Sequence, residues 1–379
     1  MLNIPLSGIK KVEAIVNSSN EYISLSQGAL KVGGIPEQIK NYIQEVLKTD
    51  KSDYYQSAWG ILKLREKLAQ VVSENNNINL NINNIIVTHG AIGALSTIFL
   101  TLLEAGDEVI IPEPTYPAYE KLVKLARANA VFVSMAQDNK WELNIEKIKQ
   151  ATTSKTKIII FSNPNNPLGI IIPENIIKEL LSWCEENKIY LIIDEAYRDY
   201  IYNNNYNSSA KFVNESNYFI NVNTFSKSMG MSGWRVGYMV IPESLNIPLG
   251  AMQDALLNCT NVPSQYAALF ALDHPEFTQE FSLIVKNNLN ILENKLQNLV
   301  NKNIFSYQKP AGGFFVFLKT DYPDAEVLSE QILRQAKVGL IAGKYFGASG
   351  KSYLRLCFAR NPEVLIEGLD RINNFFGKI

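Results

Sequence analysis

Short apolar runs alternate with longer stretches of helical periodicity through the middle of the chain. Six such runs occur, at residues 85–87, 109–111, 158–161, 190–193, 219–222 and 238–241. Because each run is apolar at consecutive positions, both faces of the strand that it forms are expected to be covered. The pattern predicts an α/β fold in which a mainly parallel, mixed sheet is flanked by helices.

A long helical pattern marks the expected domain border. Residues 275–299 have helical periodicity and contain no internal proline or glycine, so this segment is long enough to leave one domain and enter the next. We predict a large domain over residues 41–274. A smaller α+β domain is predicted from residues 1–40 and 275–379.

Two strands and two loops complete the predicted layout. Residues 312–317 and 352–357 have the pattern of strands in the smaller domain. The Asn-rich segments 74–84 and 203–207 are predicted to be exposed loops, since Asn favours turns.

Composition removes several classes of function. The 379 residues carry a net charge of −1, which gives no general attraction to nucleic acid or to an anionic membrane. No apolar run is long enough to span a bilayer, and residues 1–5 lack the features of a signal peptide. We therefore expect a cytoplasmic protein. Three separated cysteines and two histidines predict no metal cluster.

The most informative segment surrounds Lys227. Between residues 223 and 237 this lysine lies among hydroxyl side chains and glycines, and Arg235 follows it by eight positions. An amine in such a segment suits a covalently bound aldehyde cofactor, and the hydroxyls and the arginine suit a phosphate on it. The lysine reacts only as the free amine, so its site must disfavour the ammonium form. The cofactor implied is pyridoxal phosphate.

Residues that follow the apolar runs have matching chemistry, because ligands of open α/β sheets bind beyond the carboxyl ends of the strands. Gly90 opens a helix whose N–H groups suit a phosphate. Tyr116 can stack on a pyridine ring, and Asn166 lies in a proline-stiffened turn. Each of these three also has an ordinary structural explanation. Asp194 ends a buried strand and requires a partner such as a protonated pyridine nitrogen. Tyr197 can donate to a ring hydroxylate.

Taken together, these residues resemble the fold-type I pyridoxal-phosphate enzymes, and specifically the class I/II aminotransferase family. Residues 226–237 resemble the cofactor-attachment signature of that family, and residues 166–169 resemble its Asn-Pro-x-Gly turn. The resemblance covers nearly the whole chain. Its remaining motifs follow in the family's order, at residues 55–61, 112–116, 194–197, 310–314 and 353–356.

The resemblance implies a role for each residue around the cofactor ring. Lys227 would form the Schiff base and then carry the proton between the substrate Cα and the cofactor C4′. Asp194 would keep the ring nitrogen protonated. Tyr197 and Asn166 would hydrogen-bond the ring oxygen, and Tyr116 would stack on the ring.

The resemblance also implies how the phosphate is held. Arg235 and the hydroxyls of Thr224 and Ser226 would bind it, together with the backbone N–H groups of Ala91 and Ile92.

The same resemblance extends to a second subunit and to the substrate. Tyr55 would reach the phosphate of the neighbouring subunit, which implies a homodimer. Arg355 would bind the substrate α-carboxylate through a bidentate pair, with Asn166 and the backbone of Gly28 close to it.

Three positions depart from the family pattern. Leu168 stands where threonine is frequent, and Ala342 precedes Gly343 where proline is frequent; neither position supplies a catalytic group. Ile92 stands where some aspartate-specific relatives carry a polar or cationic residue. This favours donors with apolar or aromatic side chains, with 2-oxoglutarate as the acceptor.

The expected function is therefore transfer of an amino group from an L-amino acid to a 2-oxo acid, in a two-stage exchange through a pyridoxamine form. A carbon–sulfur β-lyase or a related synthase on the same fold shares the lysine, aspartate and arginine, and only product analysis separates it from a transferase. A cofactor-binding regulator without catalysis would need an additional basic DNA-binding segment, for which residues 1–30 are too short and too neutral.

Overall fold

The computed structural model describes residues 7–137, 140–203 and 206–377. Residues 1–5, on which the prediction about a signal peptide rests, lie outside these ranges. Within the described ranges, no helix is long and apolar enough to cross a membrane.

Helices and strands alternate along most of the chain. The α-helices are α1 Gly8–Val16, α2 Glu37–Val46, α3 Leu62–Asn76, α4 Gly90–Leu102, α5 Ala118–Leu125, α6 Ile145–Ala151, α7 Glu174–Asn187, α8 Phe225–Ser228, α9 Asn246–Leu257, α10 Val262–Leu272, α11 Glu276–Asn301, α12 Ala325–Gln331 and α13 Pro362–Phe376. The strands are β1 Ile23–Ser24, β2 Ile85–Thr88, β3 Glu108–Glu113, β4 Asn129–Ser134, β5 Ala136–Gln137, β6 Lys140–Trp141, β7 Thr156–Ser162, β8 Tyr190–Asp194, β9 Phe219–Thr224, β10 Gly237–Val240, β11 Phe315–Lys319, β12 Val338–Gly339, β13 Ile341–Ala342 and β14 Tyr353–Cys357.

A seven-stranded sheet forms the centre of the larger part of the molecule. Its strand order is β2-β10-β9-β8-β7-β3-β4, and every neighbouring pair is parallel except those of β10, which runs antiparallel to both β2 and β9. The predicted fold class, an α/β fold with a mainly parallel mixed sheet, is confirmed. The six apolar runs correspond to β2, β3, β7, β8, β9 and β10.

Strand β8 shows why consecutive apolar residues are needed in this sheet. Leu191 and Ile193 pack into the core on one face, whereas Ile192 packs into the core on the other. All three side chains are fully buried. A buried side chain of this size stabilises the fold by about 1.5–3 kcal/mol, so both faces of the strand contribute to stability.

One strand of this sheet was missed by the pattern. Strand β4 lies at the sheet edge and pairs with β3 alone within the described chain. Its Phe132 is 41% exposed, so the strand is covered less completely than its neighbours. Residues 130–133 are nevertheless apolar at consecutive positions, so the criterion used for the central strands applies here too and β4 should have been predicted with the other six.

The Asn-rich segment 74–84 is not a simple exposed loop, and that prediction was wrong. Helix α3 continues to Asn76, and Asn84 is buried. The Asn84 amide donates to the carbonyl of Ile241 over 3.0 Å, and its side-chain oxygen accepts the backbone N–H of Asn81. The second Asn-rich segment, 203–207, lies partly outside the described residues.

A second, three-stranded sheet lies in the C-terminal part, with β14 between β11 and β13 and all pairs antiparallel. The long helix predicted at 275–299 is confirmed as α11, which buries Phe281, Val285, Leu289, Leu292 and Leu296 along one face. These side chains share a hydrophobic core with strands β11 and β14.

The N-terminal segment packs against the C-terminal part and forms a separate two-stranded sheet with it. Strand β1 pairs in parallel with β12, and the backbone of Lys31 forms an isolated parallel β-bridge with the backbone of Arg360. The side chain of Leu25 lies in the same core as α11. The division into residues 41–274 and the remainder stays a prediction; we propose it because these contacts link the described part of residues 1–40 to the C-terminal sheet.

Candidate active site

One cavity of about 530 Å³ gathers the predicted site residues. It lies at the carboxyl ends of the parallel strands, where ligands of α/β sheets bind. Every site residue predicted from the sequence lines this cavity except Tyr55. Residues that are far apart in the chain, from Gly28 to Arg355, therefore meet in one place.

Lys227 lies in the short helix α8, directly after strand β9. Its ammonium group donates to the carbonyl oxygen of Gly28 over 2.6 Å. Burial lowers the pKa of Lys227 from its usual value to about 8, and the positive charges of Arg235 and Arg355 act in the same direction. A substantial fraction of this amine is therefore neutral, and nucleophilic, near pH 8.

Asp194 is the last residue of β8, and its side chain is 4% exposed. The phenol of Tyr119 donates to one carboxylate oxygen over 2.9 Å, and the backbone N–H of Ala196 donates to the other over 3.1 Å. Burial raises the pKa of Asp194 to about 6, although both hydrogen bonds oppose the shift. A cationic group held next to this carboxylate favours its ionised form.

The start of helix α4 and the Lys227 segment form an anion-binding end of the cavity. Within the described chain, the His89 side chain does not cap α4, so the first N–H groups of the helix remain available. The Arg235 guanidinium donates to the carbonyl of His89 over 3.3 Å, beside that helix start. Gly90 has a φ of +69°, and a Cβ atom here would lie 2.8 Å from this guanidinium, so a larger residue would be strained and would displace the Arg235 side chain.

Two hydroxyl groups lie at the same end. Thr224 donates to the hydroxyl oxygen of Ser226 over 2.9 Å, and the Thr224 hydroxyl accepts the backbone N–H of Ser226. Ala91 and Ile92, in the first turn of α4, also line the cavity. Helix N–H groups, hydroxyls and a guanidinium are the donors that proteins use for phosphate.

Arg355 comes from the central strand of the smaller sheet and is 1% exposed. Its guanidinium lies over the rings of Phe315 and Phe346, with distances of 4.5 and 4.7 Å to the ring centroids. It donates to the Asn166 side-chain oxygen over 3.0 Å and to the carbonyl of Ser26. Burial lowers its pKa to about 10. A guanidinium held in this way presents a planar fork suited to a carboxylate.

Three further predicted residues complete the cavity wall. The Asn166 amide donates to the phenol oxygen of Tyr197 over 3.3 Å. Tyr116 meets Tyr119 edge to face, with the ring centroids 5.6 Å apart. At Gly28 a Cβ atom would come within 3.0 Å of the Phe315 ring, so glycine lets the backbone approach closely.

Tyr55 lies apart from the others. Its side chain is 82% exposed and does not line the cavity of its own chain. The sequence argument gave it a role toward a second subunit, and its exposure leaves it free for such a contact.

Some functional candidates were missed by sequence reasoning. Tyr119 donates to Asp194 from the first turn of α5, and its closeness in sequence to the predicted Tyr116 was the signal that could have found it. Lys10 and Glu13 of α1 also line the cavity. No strand end or motif precedes these two, so their position depends on how the N-terminal helix packs.

The arrangement combines an amine of lowered pKa, a buried carboxylate, an anion-binding end and a buried guanidinium. Such a set can hold a phosphorylated aldehyde and, beside it, a carboxylic acid whose Cα faces the amine. These are the groups needed to move protons at the α-carbon of an amino acid.

Comparison with known proteins agrees with this chemistry. The model of the family aminotransferase class I and II matches residues 20–372. A probable aspartate/prephenate aminotransferase from Aquifex aeolicus is 32% identical over 359 residues, which cover 91% of this chain and 88% of the relative.

Two solved structures extend the similarity to the fold. The aspartate aminotransferase of Thermotoga maritima has a TM-score of 0.90 and 28% identity, over 99% of this chain and 98% of that one. The aromatic aminotransferase of Pyrococcus horikoshii has a TM-score of 0.87 and 27% identity, over 97% and 99%. The chain belongs to the class I and II aminotransferase family, whose members transfer amino groups with pyridoxal phosphate.

Proposed function

We propose that this aminotransferase takes the amino group of an L-amino acid and passes it to 2-oxoglutarate in a two-stage exchange. The observation that supports the proposal is the meeting of Lys227, Asp194 and Arg355 in one cavity. Lys227 would bind the aldehyde of the cofactor, Asp194 its pyridine nitrogen and Arg355 the carboxylate of the substrate.

The donor set of the cavity fits pyridoxal phosphate. Arg235, Thr224 and Ser226 would hold the phosphate with the N–H groups of Ala91 and Ile92. When bound, the cofactor supplies an electron sink for the negative charge that develops at the donor Cα.

The side chains around the ring have distinct tasks in this proposal. Lys227, as the free amine, would hold the cofactor aldehyde and would move the proton at the donor Cα. Asp194 holds the proton on the pyridine nitrogen, and Tyr119 fixes the orientation of that carboxylate. Tyr197 and Asn166, already bonded to each other, donate to the ring oxygen, and Tyr116 covers the ring face.

Arg355 places the donor. A bidentate pair between its guanidinium and the α-carboxylate fixes the position of Cα relative to Lys227. Asn166 and the backbone of Gly28 lie beside this guanidinium and limit how the donor can turn. The ion pair with the α-carboxylate thus offsets part of the cost of burying the Arg355 charge.

Covalent capture of the cofactor is expected to depend on pH through Lys227. With a pKa of about 8 in the folded chain, the free-amine fraction rises with pH and is nearly complete above that value. The capture rate should therefore rise roughly tenfold per pH unit below pH 8 and then level off. Stopped-flow absorbance of cofactor-free protein mixed with pyridoxal phosphate measures it. A rate that keeps rising to pH 10 would show an unshifted lysine.

We also propose a homodimer in which Tyr55 reaches the phosphate site of the partner. Tyr54, Leu62 and Ile247 are at least half exposed, at 68%, 54% and 68%, although all three have large hydrophobic side chains. Such an exposed set is typical of a surface that a second subunit covers.

Subunit mixing tests this dimer. Tyr55→Phe is expected to weaken cofactor binding roughly tenfold, the effect of one hydrogen bond to a charged group. When Tyr55→Phe subunits are mixed with Lys227→Ala subunits, tight cofactor binding should return. Each mixed dimer then contains one site with a native Lys227 from one subunit and a native Tyr55 from the other. Titration of the mixture with pyridoxal phosphate measures this. If mixing restores nothing, Tyr55 does not act across the interface.

The function itself is tested by the visible spectrum of the loaded enzyme. Amino acids are added one at a time without any 2-oxo acid. Conversion of the cofactor to its pyridoxamine form, with an equal amount of the matching 2-oxo acid, is the expected result. Added 2-oxoglutarate should then restore the starting spectrum. Release of pyruvate and ammonia from a β-substituted donor would assign a lyase instead.

A further inference from the structure

Two charged side chains at the cavity have no role in the proposed function. They are Lys10 and Glu13, both on helix α1. The other charged side chains that line the cavity are assigned to the cofactor or to the α-carboxylate. The α1 pair therefore faces the space left for the donor side chain.

Glu13 is the buried member of this pair, with a side chain that is 4% exposed. One carboxylate oxygen accepts the hydroxyl of Ser24 over 2.8 Å and also that of Ser26. The second oxygen has no hydrogen-bond partner among the described residues. A buried carboxylate oxygen without a donor is costly, so a ligand group that displaces the atoms covering it and donates a hydrogen bond would remove that cost.

The segment 24–28 connects Glu13 to the carboxylate-binding group. Ser26 donates its hydroxyl to Glu13, and its carbonyl accepts from Arg355. Two residues on, the carbonyl of Gly28 accepts from Lys227. Ser26 thus contacts both Glu13 and Arg355, so a single residue separates these two charged side chains.

The charges around this space favour a cation. Lys10 is exposed, and solvent screens its charge, whereas the buried carboxylate of Glu13 acts at full strength. Ile92 supplies no positive charge at the start of α4. A distal carboxylate would meet the charge of Glu13, and an apolar side chain would leave its oxygen unpaired. A distal ammonium group would pair with it.

We propose that Glu13 is a specificity-determining residue that selects donors with a distal ammonium group, that is, diamino acids of the ornithine and lysine type. This inference rests on the proposed function, because it takes the α-carboxylate to lie on Arg355. It also differs from the apolar or aromatic preference predicted from Ile92, since Glu13 could not be placed from the sequence.

Binding of unreactive analogues tests the inference without turnover. The analogues 5-aminopentanoate and 6-aminohexanoate carry a carboxylate and a distal ammonium group but no α-amino group; pentanoate and hexanoate are the matched neutral chains. Calorimetric titration of the enzyme loaded with pyridoxamine phosphate, which has no aldehyde for an amine to attack, should show tighter binding of each amino compound, by roughly 10- to 100-fold, the range for a hydrogen bond to a charged group.

The variant Glu13→Gln removes the charge with almost no change in shape. Its amide oxygen still accepts from Ser24 and Ser26, while its NH2 group faces the ligand as a donor. It should lose the preference for the amino analogues and bind the neutral chains as the wild type does. The control Lys10→Gln changes a charge on the same helix, and we expect it to keep the preference.

Turnover separates this inference from the proposed function. Comparison of kcat/KM for lysine with norleucine, and for ornithine with norvaline, should show the same preference. If no amino acid is converted, the proposed function fails. If norleucine or glutamate is preferred, or if Glu13→Gln retains the ammonium preference, the inference fails while the function stands. If Glu13→Gln does not fold, the binding of the amino and neutral analogues to the wild-type enzyme still tests the inference.

Discussion

Replacement of Lys227 with alanine is expected to lower kcat/KM for amino transfer by roughly 10⁴-fold. General acid–base catalysis alone accounts for about 10²- to 10⁴-fold, and the variant also loses the nucleophile that holds the cofactor. The free energy of unfolding should change little, because the amine makes one hydrogen bond, to Gly28, and its burial already disfavours the charged form.

Mass spectrometry shows whether the lost activity comes from the missing attachment of the cofactor at Lys227. Borohydride treatment of loaded wild-type protein should fix one cofactor per chain, at Lys227, and none in the variant. The control Lys63→Ala changes an exposed lysine of α3 and should keep both activity and labelling. Activity of Lys227→Ala within tenfold of the wild type would contradict the assignment.

Arg355→Lys is expected to lower kcat/KM for amino-acid donors by roughly 30-fold to several thousand-fold. Loss of one partner of a buried, hydrogen-bonded charge pair costs about 2–5 kcal/mol, and tenfold corresponds to about 1.4 kcal/mol. Lysine retains the positive charge but has only three N–H donors, so it cannot bind both oxygens of a carboxylate while also donating to Asn166 and Ser26.

A comparison of donors with and without a carboxylate shows whether this loss belongs to substrate binding. The half-reaction with a simple primary amine has no carboxylate for Arg355 to bind, so its rate should be nearly the same in both proteins. The control Arg334→Lys changes an exposed arginine and should leave both reactions intact. An equal loss with both kinds of donor would assign Arg355 a structural role, and thermal unfolding would then show a lowered Tm.

The sequence predicted the large sheet and most of the cavity for the same physical reason. Strands buried on both faces leave a clear pattern, and the residues that follow them meet at one edge of the sheet. Asp194 and the Lys227 segment were found in this way. Arg355 and Gly28 depended on the family resemblance, because nothing local distinguishes them from other strand or loop residues.

The features that were missed depend on packing that the chain does not reveal locally. The antiparallel direction of β10 depends on how the segment after Lys227 turns back, and Asn84 is buried because its amide reaches the carbonyl of Ile241. The position of Glu13 depends on the docking of α1 beside β12 and β13. These contacts join residues that are far apart in the sequence, so no periodic pattern of apolar residues reveals them.

The residues expected to contact the amino-acid donor lie in the N-terminal segment and the C-terminal sheet. The residues expected to bind the cofactor lie in the central sheet. Asp194 ends β8, Lys227 follows β9 and Arg235 precedes β10. Glu13 and Gly28 belong instead to the N-terminal segment that pairs with β12. Substitutions on α1 can therefore change which donor is accepted without moving a catalytic atom. A library confined to Ile9, Lys10 and Glu13, the α1 residues that line the cavity, would leave the cofactor-binding groups unchanged.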